Sequence, residues 1–128
     1  MKNTILRTVM SVLFLVSLCI IQVQAASNVS TVLTADVKTK ESAYVMFEGS
    51  KMDCSVVSSS KYPIKFQEYG CNSASGTNGV LGTAIIYNVG ANGTVAIKNK
   101  NSNYHKVKLT GWNVTSSVKG CIGAGKIY

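Results

Sequence analysis

Short segments in which apolar and polar residues alternate, separated by glycine, serine and asparagine, make up most of the chain after residue 25. Leu33, Ala35 and Val37 alternate with polar neighbours, and the same pattern recurs further along. A period of two is typical of β-strands that bury one face. The sequence therefore predicts a mainly β protein. The predicted strands cover residues 33–37, 43–47, 52–57, 62–69, 94–99, 104–110 and 114–122.

One segment, residues 80–89, fits two structures. Leu81, Ala84 and Ile85 recur at helical spacing, and Gly90 stands where a helix would end. Several β-branched residues in the same segment suit a strand as well. The pattern favours a helix, with a strand as the alternative. The preceding residues 70–79 are rich in glycine, asparagine, serine and threonine and are predicted to form a loop, of a length that is more often functional than not.

The N-terminal residues have the layout of a secretory signal peptide. Lys2 and Arg7 precede an apolar run at 9–21, and small residues follow up to Ala25. The apolar run is shorter than the roughly 20 residues that a membrane anchor needs. We therefore predict cleavage after Ala25, a single domain at 26–128, and a secreted or periplasmic location without membrane insertion.

The charge of the chain changes when the predicted signal peptide is removed. The full sequence has 13 basic and five acidic residues, a net charge of +8. Loss of Lys2 and Arg7 leaves 11 lysines, a charge of +6 and no arginine. Because arginine makes most bidentate contacts to phosphate and guanine, this composition argues against a nucleic-acid partner.

Three cysteines follow residue 25, namely Cys54, Cys71 and Cys121, and Cys19 belongs to the predicted signal peptide. An exported chain meets oxidising conditions in which disulfides form. A Cys54–Cys71 disulfide would close a short loop and stabilise the fold by roughly 3 kcal/mol. Cys121 is an alternative partner for either residue, because spacing alone does not fix the connectivity.

Residues suited to catalysis are scarce. His105 is the single histidine, and its neighbours Tyr104 and Lys106 lead us to interpret it as an exposed strand residue. The cysteines lack the C-x-x-C spacing of zinc sites. The five carboxylates are scattered along the chain. We therefore expect no catalytic residues, no metal and no cofactor.

Residues 98–105 concentrate amides, ammonium groups and an aromatic ring at one predicted hairpin end. Sugars are commonly bound by such amides and lysines, with an aromatic face stacked on the ring. A plain polar turn beside a core tryptophan is the alternative. The predicted glycan contacts are Asn99, Lys100, Asn101, Asn103, Tyr104 and Trp112.

Residues 82–97 resemble the central helix, glycine turn and following strand of bacterial AB5-type toxin B subunits of the Shiga, cholera and subtilase-like groups. The stretch from Lys98 to His105 is similar to the sugar-contacting segment of cholera-like members, with Lys98 where those have tryptophan. Residues 119–123 look like the cysteine-containing C-terminus of subtilase-like members. The resemblance implies a small OB-fold-like barrel of five to six strands with one short helix.

Two functions follow as hypotheses. The first is a secreted, non-catalytic subunit that binds a cell-surface glycan, assembles as a homo-oligomer such as a pentamer, and can carry an enzymatic A subunit. The alternative is a secreted or periplasmic protein-binding module or inhibitor that uses the loop at 70–79 and has no sugar specificity.

Overall fold

The computed structural model describes residues 26–128, which form two antiparallel β-sheets packed on each other. The predicted signal peptide and Cys19 lie outside the described residues. The strands are β1 (Val29–Leu33), β2 (Thr39–Glu41), β3 (Val45–Met46), β4 (Lys51–Val56), β5 (Ile64–Cys71), β6 (Val80–Tyr87), β7 (Asn92–Ala96), β8 (Tyr104–Asn113), β9 (Ser116–Ser117) and β10 (Gly123–Ile127). Within residues 26–128 no helix has the length and hydropathy needed to cross a membrane.

The strand order differs between the two sheets. Sheet A has the order β1-β10-β4-β7, and sheet B has the order β2-β8-β5-β6. The two-residue strands β3 and β9 pair with opposite ends of β8. Because β8 is ten residues long and also pairs with β5 along most of its length, it is the strand that organises sheet B.

The core lies between the inner faces of the two sheets. In β5 every second residue from Ile64 to Gly70 is buried, and in β8 the same alternation buries His105, Val107 and Leu109. Met52, Cys54 and Val56 of β4 close the core from sheet A. Complete burial of one large apolar side chain contributes about 1.5–3 kcal/mol, so these strands account for much of the stability.

Strand β10 packs closely against sheet B because it has glycine at two inward positions. A Cβ on Gly123 would lie 2.5 Å from Ile64 Cδ1 and 2.5 Å from the Ser55 carbonyl oxygen. A Cβ on Gly125 would lie 2.8 Å from Leu109 Cδ1. The absence of side chains at these two positions therefore allows β10 to lie between β1 and β4 and still pack against sheet B.

The mainly β prediction is confirmed, but the predicted helix at 80–89 is wrong. These residues form β6, which pairs antiparallel with β5 and places Ile85 opposite Phe66. A bulge between Gln67 and Tyr69 shifts the register within this pair. Strict alternation is also lost because Val80, Leu81 and Ile86 are exposed apolar residues of this edge strand.

The predicted barrel and the predicted last strand are also wrong. The two sheets remain separate and do not close on each other through strand pairing. Residues 114–122 contain a two-residue turn, the short β9 and the connection that follows it, whereas the last long strand is β10. Glycine is unfavourable in a strand on propensity alone, so the sequence pattern missed β10.

The predicted Cys54–Cys71 disulfide is not formed, and all three cysteines of the described residues are free thiols. Cys54 faces the core from sheet A. Cys71 follows the inward-facing Gly70, so it points to the opposite side of sheet B, where its thiol donates a hydrogen bond to the Thr77 carbonyl oxygen at 3.0 Å. Burial, with the nearby Asp53 charge, raises the pKa of Cys54 to about 12, which makes this thiol unreactive at neutral pH.

Candidate functional site

An open cleft of about 600 Å³ lies where two connecting segments meet at one end of the sandwich. One wall is the segment between β3 and β4, and the other is the turn between β7 and β8. We call this feature the cleft. Its lining residues are Glu48, Gly49, Ser50, Lys100, Asn101, Ser102 and Asn103.

Backbone hydrogen bonds hold both walls. The Ser102 N–H donates to the Asn99 carbonyl at 2.9 Å, which closes the turn that presents Lys100 and Asn101. The Ser50 N–H donates to the Tyr128 carbonyl at 2.8 Å, which ties the other wall to the end of β10. The Phe47 N–H donates to the Asn103 carbonyl at 3.0 Å, joining the two walls.

A smaller groove of about 250 Å³ adjoins the cleft and shares Glu48 and Asn103 with it. Met46 and Phe47 complete its lining. Met46 is half-exposed and Phe47 is almost buried. The site thus combines a polar cleft with an apolar strip alongside.

The structure brings together three of the six predicted contact residues. Lys100, Asn101 and Asn103 are exposed and line the cleft. The Asn99 side chain instead donates to the Val80 carbonyl at 2.7 Å, so its amide holds the turn against β6. Tyr104 is half-buried and lies opposite Met46, beside the smaller groove.

Trp112 lies at the other end of β8. It is separated from Tyr104 by eight residues, or about 26 Å along an extended strand. The Lys65 ammonium group covers one face of its ring at 3.6 Å from the centroid. Trp112 therefore does not belong to the cleft.

His105 is fully buried beneath the cleft, so its interpretation as an exposed strand residue is wrong. Its Nε2 accepts a hydrogen bond from the Gly49 N–H at 3.2 Å, and its ring lies 5.0 Å from the Phe47 ring. Burial lowers the pKa of His105, and the negative charge of Glu68 partly opposes that effect. The imidazole is therefore held in the neutral form that can accept from Gly49.

Glu68 is a second fully buried polar residue that the sequence analysis did not identify. Its Oε2 accepts from the Thr83 N–H at 2.7 Å. The alternation of inward and outward residues could have identified Glu68 and His105. Glu68 is two residues from the inward-facing Phe66 in β5, and His105 is two residues from the inward-facing Val107 in β8. The sequence analysis did not predict their burial, because polar residues are normally assigned to the outer face of a sheet.

Comparisons with known proteins identify no relative that assigns a function. No family model and no curated protein matches the chain. The crystal structure of PirA matches at 9% identity over 84% of this chain and 97% of PirA, with a TM-score of 0.47. A structure of Bacillus endospore appendages, described as disulfide-linked pili, matches at 13% identity over 79% of this chain and 82% of that chain, with a TM-score of 0.45.

The chemistry that the cleft can perform follows from its side chains. It offers an ammonium group, a carboxylate, amides and hydroxyls. These groups can donate hydrogen bonds to a polar ligand or accept hydrogen bonds from it. Among residues 26–128 no group of three histidine, cysteine or acidic side chains could hold a metal ion. The lining includes no cysteine or histidine side chain that could act as nucleophile or base.

Residues 72–79 connect β5 and β6, whereas residues 70 and 71 of the predicted loop belong to β5. Tyr44 covers this connection so closely that a Cβ on Gly76 or Gly79 would collide with the tyrosine ring or hydroxyl. Ser75 links Ser73 and Thr77 through hydroxyl contacts of 2.8 and 2.7 Å. The loop therefore has a defined shape at the opposite end of β6 from the β6–β7 turn.

Proposed function

We propose that the protein is an exported, non-catalytic module that binds a glycan in the cleft. The observation that carries the proposal is the convergence of Lys100, Asn101 and Asn103 with the Glu48 carboxylate across an open cleft of about 600 Å³. Sugar hydroxyls both donate and accept hydrogen bonds, and this set of side chains supplies partners for both roles. The volume lies within the range of small-molecule sites.

The adjoining groove supports a saccharide over other polar ligands. Met46 and Phe47 provide an apolar strip next to the hydrogen-bonding groups, and Tyr104 lies opposite Met46. Pyranose rings have apolar as well as polar surfaces, so a site that offers both side by side suits them. Lys100 and Glu48 oppose each other in charge, which favours a ligand without a large net charge.

We do not extend the proposal to a toxin assembly on the basis of the resemblance to toxin B subunits. This resemblance depended in part on a helix within residues 82–97, where the structure has β6, a turn and β7. We therefore retain glycan binding and export from that hypothesis and leave the enzymatic A subunit aside.

The cleft predicts a specific mutational result. Replacing Lys100 and Asn101 together with alanine removes two exposed hydrogen-bonding groups. Each such bond contributes about 0.5–1.5 kcal/mol, so we expect affinity for the bound glycan to fall roughly five- to 150-fold. A glycan array with the purified 26–128 protein identifies the ligand, and isothermal titration calorimetry then compares the variants.

Two matched controls belong to this experiment. Asn113→Ala removes an exposed amide at the far end of β8, and Trp112→Ala removes the aromatic ring that lies outside the cleft. Both should leave affinity unchanged. A wild-type protein that binds no sugar but recovers a stoichiometric protein partner from the secreted fraction would refute glycan binding and favour the alternative module.

The edges of the two sheets support self-association as part of this function. Among the described residues, β6 ends sheet B and β7 ends sheet A, and the short turn joining them places both edges on one side of the sandwich. Residues 80–97 contain no charged side chain. Edge strands of monomeric proteins are usually protected by charge, so these edges are suited to pairing with a second copy.

This assembly has its own test. Ile86 on β6 is 47% exposed, and Ile86→Lys would bring like charges together in a β6-mediated complex. We expect the variant to dissociate at concentrations where the wild type is oligomeric, as measured by sedimentation velocity. Val114→Lys adds the same charge at a residue that is 82% exposed in the β8–β9 turn and should assemble normally. A wild type that sediments as a monomer would remove assembly from the proposal.

A further inference from the structure

Two buried polar side chains beneath the cleft each have one unpaired atom. Glu68 and His105 are 0% exposed, and within residues 26–128 neither Glu68 Oε1 nor His105 Nδ1 has a hydrogen-bond partner. Gly70 lies opposite His105 and Glu68 lies opposite Val107, so both side chains face the same side of sheet B as diagonal neighbours. An unpaired buried polar atom is costly, so its retention calls for an explanation.

His105 contacts both walls of the cleft. Its Nε2 accepts the Gly49 N–H, and a Cβ on Gly49 would lie only 3.0 Å from the ring, so the wall rests directly on the imidazole. The Ser102 backbone of the opposite wall also lies close enough to favour the protonated ring, although it forms no hydrogen bond of good geometry with Nδ1.

Glu68 supports the turn that forms the second wall. Its Oε2 accepts from the Thr83 N–H, and the Thr83 hydroxyl in turn accepts from the Lys98 N–H at 2.9 Å, at the start of that turn. Gly70 and Gly82 leave the space for this arrangement. A Cβ on Gly82 would collide with Glu68 Oε2, and one on Gly70 would collide with Ser102 Oγ.

We propose that Glu68 and His105 are positioning residues of the cleft and that protonation of His105 releases the Gly49 wall, so that ligand affinity falls as the solution becomes acidic. The neutral ring accepts from Gly49 through Nε2, whereas the protonated ring has donors on both nitrogens and loses that bond. The unpaired Glu68 Oε1 is a carboxylate oxygen on the same face that can accept from the charged ring. The effect on ligand affinity rests on the proposed function, but the release of the wall does not.

The charges around His105 set the direction of the effect. Glu68 faces it from β5, whereas Glu48 and Lys100 are exposed on the two walls. Phe47 beside the ring and Ile127 beside Gly49 are uncharged. Burial lowers the pKa of His105 below its ordinary value of about 6.5, and Glu68 partly offsets this. The stabilisation from the neutral ring is thus complete above about pH 6.5 and is lost as the pH falls through the lower pKa of the folded state.

The experiment measures the Gly49 amide by NMR in the 26–128 protein without ligand. Between about pH 7.5 and about pH 5, we expect its hydrogen-exchange protection factor to fall roughly tenfold or more, because the exposed His105 ring of the open state binds a proton with its ordinary pKa of about 6.5. His105→Gln retains an acceptor for Gly49 but does not titrate, so its protection should stay high at both pH values. Glu68→Gln retains an acceptor for Thr83 but removes the charge, so the transition should move to lower pH.

Each outcome decides the proposal. Unchanged protection of Gly49 in the wild type across this range, or an equal loss in His105→Gln, would overturn it. If His105→Gln fails to fold, a transition in Glu68→Gln that does not move relative to wild type contradicts it independently. Titrating the glycan identified on the array at the same two pH values then tests the ligand effect. Failure to bind at either pH counts against the proposed function, whereas equal binding at both counts against the proton-dependent wall.

Discussion

Phe66→Ala is expected to lower the free energy of unfolding by about 3–5 kcal/mol, the range observed for truncating a buried phenylalanine. Phe66 is 0% exposed in β5 and meets the Tyr87 ring edge-on at a centroid distance of 5.9 Å. It also reaches across to β10, because a Cβ on Gly125 would lie 3.2 Å from its Cδ1. Its removal would leave a cavity where the two sheets meet.

Urea unfolding followed by circular dichroism measures this loss. Gln67→Ala is the matched control, since Gln67 is the next residue of β5 and faces the outer side of sheet B. The control should change stability by less than about 1 kcal/mol, as is usual for surface substitutions. A Phe66→Ala variant as stable as this control would contradict the packing of the two sheets.

Gly123→Val is expected to cost about 3 kcal/mol or to prevent folding, because the new side chain has no space. A Cβ at this position would lie 2.5 Å from the Ser55 carbonyl oxygen, which belongs to the paired strand β4 and cannot move without breaking the sheet. The same Cβ would lie 2.5 Å from Ile64 Cδ1. Both steric clashes involve residues that are distant from Gly123 in the sequence.

Thermal unfolding of Gly123→Val and Ala124→Val distinguishes this steric effect from a general effect of valine. Ala124 is the next residue of β10 and points to solvent, and valine suits an exposed strand position. Ala124→Val should therefore unfold at the wild-type temperature or slightly above it. If both variants unfold together, β10 does not occupy the position described between β1 and β4.

The strands that the sequence predicted well are those with strict local alternation. Residues 52–57, 62–69 and 104–110 agree closely with β4, β5 and β8. Most of their inward residues are large and apolar, with Glu68, Gly70 and His105 as exceptions, so the alternation along the chain matches the alternation of burial. By contrast, the first predicted strand was misplaced, since β1 ends at Leu33 and Val37 belongs to the connection to β2.

The candidate site was predicted in part for a similar reason. Lys100, Asn101 and Asn103 form a polar turn between two strands, and a turn is a local property that composition reveals. The opposite wall could not be found in this way, because Gly49 and Ser50 reach the cleft only through the pairing of β3 and β4 within separate sheets. Trp112 was predicted as a glycan contact because its side chain is aromatic. It lies at the opposite end of the ten-residue strand β8, and therefore outside the cleft.

Alternation and turn chemistry act over a few neighbouring residues, so local sequence pattern was enough to predict a mainly β chain whose polar side chains gather at one turn. Three other features were set by the three-dimensional packing: residues 80–87 form an edge strand, a glycine-bearing strand enters the core, and Glu68 and His105 lie buried beneath the cleft. Each of these depends on strand pairing between distant residues. That pairing fixes which neighbour a side chain meets, and the neighbour in turn determines whether a residue is exposed, buried or required to be glycine.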